Sequence, residues 1–105
     1  MTTLHIENTV RDYATWQEAF DKFERFRVEN GVRSYRISRQ VADPNQVTVD
    51  LEFGSRSDAE AFVPLLEKIL STPQSHEQLL EHSAPMLMDT TRVRDLEPSA
   101  SQGRA

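Results

Sequence analysis

The sequence predicts an α+β domain in which a strand–helix–strand unit occurs twice. Three observations carry this. Apolar and polar residues alternate over Thr3–Glu7 and Val47–Phe53, the two-residue period of a half-buried strand. Apolar residues recur at three and four positions over Trp16–Phe26 and Ala59–Leu70, the period of a helix with one buried face. Asn30-Gly31 and Asp43-Pro44-Asn45 punctuate the chain where a helix stops and a hairpin turns.

Each element follows from its residues. In the first strand Leu4 and Ile6 point one way and Thr3, His5 and Glu7 the other, with Asn8, Thr9 and Val10 leading off its end. A single helix is expected from Asp12 or Thr15 to Asn30, with Thr15 and Glu18 at capping-box spacing. Its stripe is Trp16, Ala19, Phe20, Phe23 and Phe26. Val32–Val41 is a second strand, with Tyr35, Ile37, Arg39 and Val41 on one face and Ser34, Arg36 and Ser38 on the other. Val47–Phe53 returns beside it as a third. A second helix opens at Ser55 or Ser57, where Ser57 and Glu60 again have capping-box spacing. Pro64 removes one of its hydrogen bonds and is expected to divide it. A short helix over Pro73–Leu80 and a fourth strand over Met86–Val93 follow. The domain therefore spans residues 1–94, and 95–105 are expected to be a disordered tail, being small, polar and aperiodic.

Composition narrows the functional classes. The 105 residues fit one domain. There is no cysteine, which excludes disulfides, thiolate metal sites and a cysteine nucleophile. Net charge is -5 and the basic residues are scattered among acids, so no nucleic-acid partner is expected. No apolar run reaches the roughly 20 residues that span a bilayer, and no signal peptide is legible, so a cytoplasmic protein with no membrane partner is expected.

The order strand, helix, strand, strand, helix, strand makes the ferredoxin-like βαββαβ fold the simplest arrangement: a four-stranded antiparallel sheet in order 4-1-3-2, with both helices on one face. The opposite face then carries His5, Glu7, Ser34, Arg36, Ser38, Thr48, Asp50 and Glu52. It reads either as a solvated face, as a metal or acid/base cluster of His5, Glu7, Asp50 and Glu52, or as the ion-paired lining of a barrel closed by a second copy, with Arg36 as counter-charge. The methionines, Tyr35 and Arg39 read as core and cavity wall.

Particular residues suggest a family. Leu4-His5-Ile6-Glu7-Asn8, then Asp12-Tyr13 with Trp16 and Phe20-Asp21, then Gly31-Val32-Arg33-Ser34, Asp43-Pro44-Asn45 and Ala59-Glu60-Ala61-Phe62 resemble the dimeric α/β-barrel superfamily. The resemblance is nearest to antibiotic-biosynthesis monooxygenases and polyketide-cyclase-like proteins, and covers about residues 3–94. It implies a homodimer with a small apolar or aromatic ligand between sheet and helices. It also implies either a cofactor-independent monooxygenase or cyclase acting on an aromatic polyketide-like substrate, or a non-catalytic ligand-binding or accessory dimer. Whether the chain is an enzyme stays open, because fold does not fix function. In the quinone-forming members neither metal nor flavin is used, so no cofactor is expected. Asn8, Tyr13 and Trp16 match their site by residue type: an amide can hold a phenolate or peroxide oxygen, and an aromatic wall can orient a planar ring. The alternative reading makes Trp16 core, Tyr13 a staple ahead of the helix, and Asn8 a turn residue. Heme-degrading relatives use a His after the second helix, where His76 and His82 lie, and His82 completes the candidate set. The Trp of their second helix is absent here, Phe62 being the nearest aromatic, and His82 reads equally as a solvated helix-end residue.

Overall fold

The computed structural model describes residues 1–96; residues 97–105, most of the expected tail, lie outside the described residues. The elements are β1 (Thr2–Val10), α1 (Tyr13–Asp21), α2 (Glu24–Glu29), β2 (Val32–Arg39), β3 (Gln46–Phe53), α3 (Arg56–Leu70), α4 (Pro73–Gln78), β4 (Leu79–His82) and β5 (Met86–Asp89). The sheet is antiparallel in order β2-β3-β1, with β4 and β5 sharing the far edge along β1. This is the ferredoxin-like order expected from the sequence, with its fourth strand in two pieces.

Alternation assigns the faces. Leu4, Ile6 and Val10 of β1 and Val47, Val49, Leu51 and Phe53 of β3 are buried together with Trp16, Val32, Ala59 and Phe62 in one core. The helices cover that face alone. On the other face β1, β2 and β3 present Thr3, His5, Glu7, Ser34, Arg36, Ser38, Thr48, Asp50 and Glu52, as the alternation predicts.

Several local expectations are corrected. The first strand does not end at Glu7 but runs to Val10, so Asn8 is a strand residue and not a turn residue. The first helix is broken between Asp21 and Glu24. At the break the Phe20 carbonyl accepts from the Phe23 amide (3.1 Å) and from the Arg27 side chain (2.7 Å), so the turn leaves no unmet acceptor there. The caps lie upstream of the expected boxes: Asp12 accepts from the Thr15 amide at 2.9 Å and Ser55 from the Asp58 amide at 3.2 Å. Pro64 does not divide α3; Glu60, whose carbonyl it leaves without a donor, is exposed to water. Gly31 follows α2 with φ of 96°, the left-handed conformation a helix stop favours.

The expected strand Met86–Val93 stops at Asp89, and Leu79–His82 forms an additional strand. Between the pairs Asn8↔His82 and His5↔Met86 the edge chain advances four residues while β1 advances three. That one-residue excess is a bulge, placed at Ser83-Ala84-Pro85, where Pro cannot donate to the ladder. The bulge leaves Met86 and Met88 exposed opposite His5 and Thr3, not in the core. Tyr35 and Arg39 are exposed as well.

Candidate functional site

Between sheet and helices the core is incomplete. A cavity of about 110 Å³, open at one side, lies over Ile6, Asn8, Val49 and Leu51 of the sheet. Trp16, Ala19, Phe20 and Phe23 form one wall, Phe62, Leu66, Ile69 and Leu70 of α3 the other, and Thr72, Ser75 and Gln78 a polar rim. The two rim hydroxyls are occupied: Thr72 and Ser75 donate to the Ile69 carbonyl at 2.8 and 2.7 Å, closing the end of α3.

The aromatic wall is a ladder. Tyr13 and Trp16 have ring centroids 5.8 Å apart, Trp16 and Phe20 5.1 Å, and Phe20 meets the edge of Tyr35 at 5.2 Å. Such contacts fix ring orientation beyond what burial alone does. Trp16 is 6% exposed and belongs to the core, and it also lines the cavity.

Two buried polar atoms face no protein partner among the described residues: Asn8 Oδ1 and Arg27 Nε. Both residues are 6% exposed and both line the cavity. An unmet buried polar group costs about 1–3 kcal/mol, which a bound water or ligand offsets. Arg27 is otherwise well held. Its guanidinium lies 3.6 Å from the Phe20 ring centroid, and Nη2 donates to the Phe20 carbonyl and, at 3.2 Å, to Glu24. The Tyr35 hydroxyl donates to the same Glu24 oxygen at 2.9 Å. That bond and the Arg27 contact hold the Glu24 carboxyl below its ordinary pKa, and the Tyr35 phenol is correspondingly pushed up.

Of the four sequence candidates, the structure brings Asn8 and Trp16 together at the cavity. Tyr13 stands behind them: it stacks on Trp16 and carries the Arg39 guanidinium 3.9 Å over its own ring, but does not line the cavity. His82 is exposed on β4, where it pairs with Asn8 across the strands and borders a second groove that Asn8 also lines, with Glu7, Gln46 and Glu81. Arg27 was missed. Its signal was spacing, since Trp16, Phe20, Phe23 and Arg27 follow one helical stripe and place a cation where an apolar residue is expected.

The outer cluster does not assemble a metal site: no group of three or more His, Asp and Glu able to hold an ion occurs among the described residues. Instead His5 bridges Asp50 (2.6 Å) and Glu7 (3.0 Å), and Glu52 accepts from Thr3 at 2.8 Å. His5, not Arg36, is the partner of Asp50. Hydrogen bonds to Glu7 and Asp50 raise the His5 pKa above its ordinary 6.5.

No family model matches the sequence, and none of the curated proteins does. Solved structures do. A candidate antibiotic biosynthesis monooxygenase from Nitrosomonas europaea superposes with a TM-score of 0.65 at 16% identity, covering 88% of this chain and all of that one. A candidate antibiotic biosynthesis monooxygenase from Deinococcus radiodurans gives 0.59 at 11% identity over 92% of this chain and 99% of its own. A third antibiotic biosynthesis monooxygenase gives 0.53 at 16% identity over 88% of this chain. No helix among the described residues is long and apolar enough to cross a membrane. At these identities the likeness carries the architecture: the chain is a ferredoxin-like α/β protein built as these monooxygenase-like neighbours are.

Proposed function

We propose that the chain binds a single-ring aromatic molecule between sheet and helices and oxygenates it without a cofactor, as a homodimer. The observation that carries this is the pairing of an aromatic-walled cavity with two unmatched polar atoms, Asn8 Oδ1 and Arg27 Nε. Size sets the ligand class. Drug-sized ligands occupy roughly 300–1,000 Å³, whereas an apolar cavity of about 150 Å³ takes benzene. At about 110 Å³ with one open side, this cavity suits one ring and not a fused polyketide.

The chemistry asked of the protein is modest. A phenol and O₂ yield a quinone and water, the phenol supplying all four electrons, so the site needs to ionise and orient the ring. Arg27 favours the phenolate by charge, Trp16 and Phe20 hold the ring plane, and Asn8 Oδ1 accepts a hydrogen bond from the O–H of the hydroperoxide that carries the oxygen being transferred. The names of the structural neighbours support the same reading. The dimer reading rests on the outer sheet face, whose polar groups already pair laterally through His5, Asp50, Glu7, Thr3 and Glu52.

Oxygen-electrode traces with a panel of single-ring phenols and quinols test the reading. Consumption dependent on the protein and lost in Trp16→Phe is expected. A second reading, ligand binding without turnover, is favoured by one feature: among the described residues no His, Asp, Glu or Tyr lines the cavity to move protons. Saturable binding across the panel with no oxygen uptake would establish that reading instead.

A further inference from the structure

Arg27 is a cation in the wall of an apolar cavity, and its neighbours leave it incompletely matched. The residue is 6% exposed, yet only its Nη2 edge is accounted for, by the Phe20 carbonyl and Glu24. Glu24 is itself 55% exposed in its side chain and shares the same oxygen with Tyr35. The groups facing Arg27 are Glu24 on its own helix, the Phe20 ring from α1, and the ring and hydroxyl of Tyr35 from β2. Among the described residues lining the cavity, no other carries a charge. A guanidinium stays protonated under all ordinary conditions and, in a site of low dielectric, discriminates strongly by ligand charge.

We infer that Arg27 makes this cavity selective for anions: it takes a single-ring molecule in which one anionic oxygen, phenolate or carboxylate, accepts the free Nε–H of Arg27. This deepens the proposed function and rests on it for the location of the ligand, but not for oxygenation. Asn8 Oδ1 then accepts from a second hydroxyl where the ligand carries one, and Phe20, which stacks on the guanidinium, fixes the donor's plane. Arg27 is in this sense the residue that decides which rings are held, whatever follows.

Two probes report on it in the intact protein. 4-Nitrophenol changes colour on ionisation, and a bound opposite charge lowers an acidic pKa by about one to three units. The bound phenol is therefore expected to titrate at least about tenfold more readily than the free one. Benzoate, of nearly the same shape as benzyl alcohol, is expected to bind at least about tenfold tighter than that neutral alcohol, a carboxylate arm separate from the phenolate arm. Arg27→Met replaces the guanidinium over Phe20 by an uncharged, unbranched side chain and should erase both differences while still binding benzyl alcohol. Equal binding of benzoate and benzyl alcohol, an unshifted nitrophenol, no binding of either probe, or a preference that survives Arg27→Met would each overturn the inference. Should that variant not fold, the wild-type comparisons decide alone. Anion preference without oxygen uptake would remove the oxygenase reading and leave this one standing; oxygen uptake with no anion preference would do the reverse.

Discussion

Asn8 shows what a single residue contributes here. It sits mid-strand on the core face, between Ile6 and Val10, with its carbonyl oxygen buried and unpaired. A residue kept for stability would not be left so. Replacing an unmet polar group by an apolar one of similar shape is neutral or stabilising. Asn8→Leu is accordingly expected to leave urea stability unchanged or raise it by about 1–3 kcal/mol, while ligand binding is lost. A clear loss of stability would instead make Asn8 structural. His5 gives a second prediction at this scale. Its folded pKa is raised by Glu7 and Asp50, so the protonated form is favoured by folding. The stability it contributes is full below the unfolded value near 6.5 and is lost as pH rises through the higher folded pKa. Urea midpoints should fall over that window in the wild type and not in His5→Gln. The change should be under about 1 kcal/mol, because the cluster borders solvent.

At the scale of elements, period and punctuation were legible and geometry at the ends was not. The alternation of Val47–Phe53 and the stripe of Trp16–Phe26 place strands and helices correctly, because burial of one face imposes those periods. The capping boxes misled. Thr15 and Ser57 have the right spacing to Glu18 and Glu60, but Asp12 and Ser55 lie one turn or less upstream and reach free amides first. Ser55→Ala should therefore cost about 1 kcal/mol, and Ser57→Ala much less, in thermal or urea unfolding. The break after Asp21 was not legible because Arg27 supplies a tertiary partner to the Phe20 carbonyl. The divided edge strand had a visible cause in Pro85, but its bulge depends on register against β1, which no local pattern states. The same limit applies to the site. Asn8 and Trp16 were visible by type, Arg27 was hidden as a charge on an apolar stripe, and the exposure of His82 on β4 follows from a strand pairing that no local pattern states.

For the whole molecule, one sheet separates two environments. The helix side holds an apolar core with an unfilled space. The other side is polar across three strands, where His5 bridges Glu7 and Asp50 and Thr3 donates to Glu52. A single layer of helices on one face of a sheet leaves the second face for water or for another copy. Sedimentation at micromolar concentration should give a dimer, and a monomer would remove that part of the account.

On the function proposed above, the space beside Trp16 receives a ligand. Trp16 is the chain's single tryptophan and lines the cavity, so its fluorescence reports on that space directly. Titration with 4-nitrophenol should quench it saturably in the wild type, and Ala19→Leu, which fills the cavity from its wall, should abolish the saturable phase. Linear, non-saturating quenching in the wild type, or equal saturable quenching in Ala19→Leu, would contradict it.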